Sequence, residues 1–368
     1  MVSAIATNRS SGQSIRVMIV DDSAVVRGLT KRWLEAEKDI EIVAVSTDGM
    51  RAVTDVVAAK PDVIILDVEM PRMDGLTALP QLTKLAPHAR IVMASTLTRE
   101  GATTTLRAMS LGAADYIAKP EATGLGGATA YQQDLIAKIR ALGGAAQASA
   151  NPARRTPLPP PRPRPVARAN KPAIFRPKAL FLGSSTGGPQ ALQSFLTPIA
   201  KDIKAPIFIV QHMPATFTTI LAEKLAQVTG RPCVEPKDGE VVKSDHIYLA
   251  PGDWHMKVEK QGLGQVIRID QSPQVNFCRP AVDPLFASGV KVFGGSMLSV
   301  VLTGMGHDGR DGAKLVSEAG GRVIVQDEAS SVVWGMPGAI AQAGLADEIK
   351  PIPELCRLAK TYMNNGVG

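Results

Sequence analysis

The sequence predicts an α/β protein with two domains, each a doubly wound parallel sheet covered by helices. Short apolar runs alternate with helix-like stretches in both halves of the chain, which is typical of parallel strands joined by helical crossovers. With 368 residues the chain is longer than a domain with a single hydrophobic core usually is, and a Pro- and Arg-rich segment separates the two halves. We expect a disordered tail over residues 1–14, a first domain over 15–142, a linker over 143–178 and a second domain over 179–368.

The linker carries the positive charge of the chain. It contains eight basic residues and no acidic residue, whereas the net charge of the whole chain is +7. The folded parts are therefore close to neutral, and a broad basic face for nucleic acid is not predicted. The linker prolines, including Pro159, Pro160 and Pro161, favour a semi-rigid extended conformation.

Composition also argues against a membrane protein and against a disulfide scaffold. No apolar run approaches eighteen residues, and the first residues lack a hydrophobic signal core. Cys233, Cys278 and Cys356 show no Cys-x-x-Cys spacing, so we predict packing residues and neither disulfides nor a zinc site. We expect a cytoplasmic monomer without membrane insertion.

In the first domain, polar residues stand at the carboxyl ends of β-like runs. The runs are Arg16–Val20, Ile42–Val45, Val63–Leu66, Arg90–Ala94 and Tyr116–Ala118. Asp21 and Asp22 follow the first run, Asp67 the third, Ser95 the fourth and Lys119 the fifth. Because the carboxyl ends of parallel strands meet at one edge, these side chains are predicted to converge there.

Three carboxylates at one edge repel each other unless a cation compensates their charge. We predict a Mg²⁺ site in which one or two of Asp21, Asp22 and Asp67 act together with a backbone carbonyl, for which Glu69 is the candidate. Such an ion would also neutralise a phosphoryl group arriving at Asp67. The alternative is that Asp21 and Asp22 only cap the helix that follows them.

In the second domain, three apolar runs lead to candidate catalytic residues. The run 179–182 leads to Ser185, the run 207–210 to His212, and the run 298–302 to Asp308. A serine, a histidine and an aspartate at one sheet edge supply a nucleophile, a base and a group that orients the base.

Ser185 is the centre of a Gly-x-Ser-x-Gly sequence at a predicted strand-to-helix turn. The glycines allow a sharp turn, and the start of the helix offers N–H groups to an oxyanion. A phosphate-binding loop is the first alternative, but Pro189 stands where such a loop places its lysine. A glycine-rich turn with no catalytic role is the second.

His212 and Asp308 each have a competing interpretation. His255 and His307 compete with His212 as the base, and only the position of His212 at the strand end favours it. Gly304, Gly306 and Gly309 form a Gly-x-Gly-x-x-Gly sequence around Asp308, and Asp327 ends the next strand, which together match a dinucleotide site. A nicotinamide-dependent enzyme is therefore the second enzymatic hypothesis, although it leaves Ser185 and His212 without a role.

The first half resembles the receiver domains of two-component response regulators, which have a flavodoxin-like fold. The resemblance is carried by the segments 20–23, 66–75, 94–95 and 119–120. It implies that Asp67 accepts phosphate from a chemotaxis histidine kinase and that Asp21 and Asp22 hold Mg²⁺. It further implies that Ser95 and Tyr116 are switch residues and that Lys119 contacts the phosphate.

The second half resembles the CheB-type chemotaxis protein-glutamate methylesterases, with a Rossmann-like esterase domain. The resemblance runs from about 178 to 360 and is carried by the segments 183–188, 211–214, 250–253, 279–283 and 304–309. Two departures are the proline- and arginine-rich linker, which is longer than usual, and His307, which stands where the family usually has asparagine.

The resemblance implies a Ser-His-Asp hydrolase that demethylates glutamate esters on methyl-accepting chemotaxis receptors and deamidates receptor glutamines. Ser185 would be the nucleophile, His212 the base and Asp308 its partner, with the backbone N–H groups of Thr186 and Met305 as the oxyanion hole. The resemblance also implies that an unphosphorylated receiver covers the esterase site. A DNA-binding output domain and a catalytically inactive adaptor are the alternatives from other functional classes.

Overall fold

The computed structural model describes residues 14–119, 125–150 and 175–365. Within them the chain divides into two compact units, one formed by 14–96 with 111–119 and 125–150, the other by 97–110 with 175–365. Each unit contains a parallel sheet, and the predicted fold class is confirmed. In the part of the chain that is described, no helix is long and apolar enough to cross a membrane.

The first sheet has five parallel strands in the order β2-β1-β3-β4-β5. This is the flavodoxin-like strand order. Each predicted run lies within one strand, the strands being β1 (Ile15–Val20), β2 (Ile40–Ser46), β3 (Val63–Asp67), β4 (Arg90–Ser95) and β5 (Asp115–Ala118). The helices along this part of the chain are α1 (Ala24–Glu35), α2 (Gly49–Ala59), α3 (Gly75–Leu85), α4 (Arg99–Ser110) and α5 (Leu125–Ala150), of which α4 falls in the second compact unit.

The cap of helix α1 is a serine. Ser23 Oγ accepts the backbone N–H of Val26, while Asp21 Oδ1 accepts the backbone N–H of Ser23. Neither Asp21 nor Asp22 is the N-cap residue, so the capping alternative for these two carboxylates is wrong and their side chains stand at the sheet edge.

Helix α5 corrects the predicted start of the linker. The glycines at 143 and 144 suggested a break, yet the helix continues to Ala150. Gly143 lies so close to Ile15 that a methyl group would meet that side chain, and Ala146 is fully buried. A glycine here permits close packing of the helix on the first strand, and it therefore does not end the helix. The remainder of the predicted linker up to 174, and the predicted tail apart from Ser14, lie outside the described residues.

The second sheet has seven parallel strands in the order β14-β13-β12-β6-β7-β9-β8. The strands are β6 (Ala179–Ser184), β7 (Ile207–Gln211), β8 (Cys233–Val234), β9 (Ile247–Leu249), β12 (Met297–Val301), β13 (Arg322–Gln326) and β14 (Glu348–Lys350). The chain extends the sheet from β6 to one side and then returns to place β12 on the other side. The point between β6 and β12 is therefore the switch point at which α/β proteins bind ligands.

Besides α4, six helices and an antiparallel hairpin belong to the described part of this unit. The helices are α6 (Gly188–Leu196), α7 (Ala215–Thr229), α8 (Val282–Phe293), α9 (Arg310–Glu318), α10 (Met336–Gln342) and α11 (Ile352–Asn365), and the hairpin is β10 (His255–Gln261) with β11 (Gly264–Asp270). Aromatic rings from neighbouring central strands fill the core: the ring centroids of Phe181 and Phe208 are 5.0 Å apart, and those of Phe208 and Tyr248 are 5.6 Å apart. This packing fixes the strand ends that carry the candidate site.

Candidate active site

The strand register places Ser185 and His212 side by side. Ser184 and Gln211 are the last paired residues of β6 and β7, and Ser185 and His212 follow them directly. The backbone N–H of His212 donates to the carbonyl of Ser184 at 3.2 Å. Asp308 lies in the loop after β12, on the other side of β6. All three predicted residues therefore stand at the carboxyl edge of one sheet.

The turn that carries Ser185 is held by hydrogen bonds from both sides. The backbone N–H of Ser185 donates to the carbonyl of Thr303 at 3.0 Å, and its carbonyl accepts the N–H of Gly188 at 2.7 Å and Nε2 of Gln211 at 2.9 Å. Gly187 has φ +74° and lies against Val332, so a side chain at this position would be both strained and blocked. The serine is thereby fixed at the start of helix α6.

His212 and Asp308 form the closest polar pair of the site. His212 Nε2 lies 2.8 Å from Asp308 Oδ2, and the other ring nitrogen, Nδ1, lies 3.4 Å from Cys278 Sγ. Ser185 Oγ is not hydrogen-bonded to His212 among the described contacts. Because Asp308 takes Nε2, Nδ1 is the nitrogen that can accept the proton of Ser185. Cys278 was predicted as a packing residue and instead contacts this nitrogen, whereas Cys233 and Cys356 are buried as predicted.

Asp308 is an anion bound at a helix N-terminus. Its carboxylate accepts the backbone N–H of Val282 at 2.6 Å and that of Asp283 at 3.2 Å, both in the first turn of α8. Burial would raise the pKa of Asp308, but the hydrogen bond and charge of His212 and the N–H of Val282 outweigh it and hold the pKa below its ordinary value. Asp308 therefore remains ionised at neutral pH.

The same pair favours the charged form of the histidine. Burial alone would lower the pKa of His212, but the hydrogen bonds to Asp308 and Cys278 and the charge of Asp308 raise it above its ordinary value. The site is therefore arranged to stabilise an imidazolium, the species that forms when a histidine removes a proton from a serine.

The competing histidines have other roles or positions. His255 is fully buried: its Nδ1 accepts the backbone N–H of Ala281 at 3.3 Å, and its Nε2 faces the carbonyl of Pro273 at 3.1 Å. Burial lowers the pKa of His255, in keeping with a neutral ring that supports the loop before α8. His307 is exposed. Of the three candidates, only His212 pairs with a carboxylate.

The glycine-rich segment around Asp308 is explained by packing against the serine turn. A methyl group on Gly304 would lie 2.9 Å from Ser185 Cβ and would also meet the sulfur of Met336. Asp327, the acidic residue of the dinucleotide hypothesis, accepts hydrogen bonds from Ser330 in its own loop. The loop thus packs against the turn that carries Ser185. The two residues predicted for the oxyanion hole, Thr186 and Met305, directly follow Ser185 and Gly304 in the sequence.

The first sheet carries a second site at its own carboxyl edge. One carboxylate oxygen from each of Asp21, Asp22 and Asp67 lies within 4.8 Å of the others, and Lys119 Nζ lies 3.0 Å from Asp21 and 2.7 Å from Asp67. These oxygen donors fit the preference of Mg²⁺ for carboxylates, and the exposed Asp22 leaves room for water ligands. Glu69 is exposed, and the role of its carbonyl stays a prediction.

Burial makes the Asp67 carboxylate dependent on a cation. Burial raises the pKa of Asp67 to about 6; the Lys119 ammonium counteracts this rise, and the negative charge of Asp21 adds to it. Burial would lower the pKa of Lys119, but the hydrogen bond and charge of Asp67 raise it. The predicted switch residues Ser95 and Tyr116 are both buried; Ser95 is the last residue of β4, and Tyr116 lies within β5.

Comparison with known proteins identifies both units. A family model for the CheB methylesterase matches residues 180–358, and one for the response regulator receiver domain matches residues 17–125. A protein-glutamate methylesterase/protein-glutamine glutaminase from Nitrobacter hamburgensis is 49% identical over 374 residues, 97% of this chain and 97% of the relative. The chain belongs to the CheB methylesterase family. A relative of the same name from Maricaulis maris is 46% identical and covers 95% of this chain.

A solved CheB structure supports the fold of the second unit. The crystal structure of the Thermotoga maritima CheB methylesterase catalytic domain matches 51% of this chain and 100% of that chain, at 36% identity and a TM-score of 0.50. The family assignment also excludes the DNA-binding output domain that was considered from the sequence.

Sequence reasoning missed the residues that support the predicted triad. Gln211 fixes the serine turn, Cys278 contacts His212, and Asn276 and Asp283 surround Asp308. A buried glutamine at the end of an apolar strand was a usable signal for Gln211. The other three lie in or beside the loop before α8, whose course the sequence does not reveal.

Proposed function

We propose that this chain hydrolyses glutamate methyl esters on chemoreceptors, and deamidates receptor glutamines, with Ser185 as nucleophile. The main observation behind the proposal is the hydrogen bond of 2.8 Å between His212 Nε2 and Asp308 Oδ2, next to the turn of Ser185. The family assignment and the shared name of the relatives from Nitrobacter and Maricaulis support the substrate class.

In the first step, Ser185 Oγ attacks the ester carbonyl while His212 Nδ1 removes its proton. The hydroxyl takes the place of the Cys278 thiol at Nδ1, and Asp308 stabilises the imidazolium through Nε2. The carbonyl oxygen becomes an oxyanion next to the backbone N–H groups of Thr186 and Met305. Each such donor contributes typically about 3–4 kcal/mol to transition-state stabilisation.

The imidazolium then returns the proton to the departing methoxide, and methanol leaves. A water molecule, deprotonated by the same nitrogen, attacks the acyl-serine; the bond to Ser185 Oγ breaks, the imidazolium returns the proton to that oxygen, and the glutamate side chain leaves as its carboxylate. A glutamine substrate follows the same steps with ammonia as the leaving group, so one site performs both reactions.

Phosphorylation of Asp67 controls the hydrolase in this proposal, with a chemotaxis histidine kinase as the phosphate donor. Asp21, Asp22 and Asp67 would hold Mg²⁺, which supplies positive charge against the incoming phosphoryl group. Lys119 stands ready to contact the phosphoryl oxygens, and Ser95 and Tyr116 respond to the added charge.

The test is methanol release from methylated receptor by the purified protein and by S185A. The wild-type chain is expected to release methanol, and S185A is expected to lose that activity, because it lacks the hydroxyl that forms the acyl intermediate. Ammonia release from a receptor that carries glutamine provides the parallel assay. Substantial turnover by S185A would remove the serine from its proposed role.

A further inference from the structure

A tight turn before α8 directs one polar side chain into the site and leaves one apolar side chain exposed to solvent. Val275 and Cys278 exchange two backbone hydrogen bonds of 3.1 and 2.9 Å, and the residues between them have left-handed backbones, with φ +53° at Asn276 and +63° at Phe277. Phe277 is 95% exposed, whereas Asn276 is half-buried and reaches into the site. Asparagine tolerates this conformation better than most residues, whereas a bulky side chain does so at a cost.

The Asn276 amide bridges two carboxylates. Its Nδ2 donates to Asp308 Oδ1 at 3.0 Å and to Asp283 Oδ2 at 2.9 Å. Both amide hydrogens are therefore used, one for each acid. Asp283 also accepts the backbone N–H of Gly312 at 2.7 Å, and Asp308 is held by His212 and the first turn of α8.

Two neighbouring carboxylates repel each other unless a donor or a cation stands between them. Burial raises the pKa of Asp283 to about 6 and the charge of Asp308 adds to that rise, whereas the N–H of Gly312 and the Asn276 amide lower it. Asp308 stays ionised, so the two acids repel each other near neutral pH. Without the donor that they share, the Asp308 carboxylate can turn away from His212.

We propose that Asn276 is a positioning residue that holds the Asp308 carboxylate against His212 and so keeps His212 competent as a base. Its amide donates to both acids and thereby ties Asp308 to Asp283, which the N–H of Gly312 holds in place. This inference rests on the proposed roles of Ser185, His212 and Asp308.

The experiment compares two glycine variants of the full-length chain. N276G removes the amide but keeps the turn, because glycine adopts a positive φ freely. F277G is the matched control, since it relaxes the same turn and removes only an exposed side chain. We expect N276G to lose about 10- to 100-fold in kcat/KM, the effect of one hydrogen bond to a charged group, and F277G to retain the wild-type value.

A second substitution distinguishes a specific role in positioning Asp308 from a general contribution to the stability of the loop. In D283N, the new amide can donate to Asp308 in place of Asn276 while its oxygen still accepts from Gly312. The loss caused by N276G should therefore be clearly smaller in the D283N background than in the wild type. An NMR titration of the His212 ring should move to lower pH in N276G and return toward wild type in N276G/D283N.

Three results would overturn the inference: an unchanged His212 titration in N276G, an equal loss in F277G, or the same loss from N276G in both backgrounds. The titration needs no turnover, so it remains informative if activity is low. Failure of the proposed function is distinguished separately, because it would appear as wild-type protein that releases no methanol or as an active S185A.

Discussion

At the scale of single residues, the site depends on where charge is held. Asp308 stands at the N-terminus of α8 and faces His212, and both contacts keep the carboxylate ionised. The histidine responds with a raised pKa, because the anion favours its protonated form. In the proposed reaction this arrangement would stabilise the imidazolium, and it would require a pH at which the free histidine can lose its proton.

Asp308→Asn should move the pH profile and reduce the rate. The wild-type kcat/KM is expected to rise with pH as His212 deprotonates. Removing the carboxylate charge lowers the pKa of His212, so the rising part of the profile should shift to lower pH, while kcat falls by about 10⁴ as the ring loses its orientation. Methanol release measured from acidic to alkaline pH tests this, and a profile that rises at the wild-type pH would contradict the role of Asp308.

Substitutions at Cys278 should rank by how strongly the new side chain competes for Nδ1 of His212. Alanine makes no hydrogen bond with Nδ1, a thiol makes a weak one and a hydroxyl makes a stronger one. We expect kcat/KM to decrease in the order C278A, wild type, C278S. The reverse order would show that the contact assists the base, and equal values would show that the contact is lost when substrate binds.

The sequence predicted the positions of those site residues that directly follow strands of the parallel sheet. Ser185, His212 and Asp308 come after apolar strands, and parallel strands bring their carboxyl ends to one edge, so their convergence could be expected. Asn276 and Cys278 could not be found in this way, because a left-handed turn in an irregular loop aims them. No periodic pattern encodes that geometry, and their residue types are common in ordinary loops.

At the scale of elements, the strands of the first domain followed from their apolar runs, but the end of its last helix did not. Gly143 and Gly144 are adjacent and suggested a linker, although their environments differ. Gly143 is buried against Ile15, and Gly144 is exposed with no atom near the position of a side chain. Only the packing partner distinguishes a glycine that a helix requires from one that it merely tolerates.

The two glycines provide a matched test of helix α5. Gly144→Ala should stabilise the first domain by about 0.5–1 kcal/mol, because alanine has the higher helix propensity and meets no other atom. Gly143→Ala should destabilise it by about 1–3 kcal/mol, because the added methyl group collides with Ile15. Chemical denaturation monitored by circular dichroism measures both, and effects of the same sign would argue against the packing of this helix.

At the scale of the whole molecule, two sheets carry two chemistries at their carboxyl edges. The first edge has three acids and a lysine, and the second has the serine, the histidine and the aspartate. The order of units along the chain was predicted from the linker composition and from residues at strand ends. Kinetic measurements test the link between phosphate at the first edge and hydrolysis at the second.

Wild-type protein supplied with a small-molecule phosphodonor and Mg²⁺ should release methanol faster than without them. D67N should not respond, because it lacks the carboxylate that accepts the phosphoryl group, and chelation of Mg²⁺ should abolish the response of the wild type. The basal rate of each protein without phosphodonor is the control. Equal stimulation of D67N would assign the effect to something other than phosphorylation at this position.

The two neighbours of the central strand β6 are far apart in the sequence, and this affects the nascent chain during synthesis. His212 and its aspartate are 96 positions apart, and β6 pairs with β7 on one side and with the much later β12 on the other. A ribosome that has reached β11 has already made the serine and the imidazole, yet one edge of β6 is still open. Chains that end before residue 308 therefore lack the carboxylate that pairs with His212, and β6 gains its second neighbour only after β12 has been made.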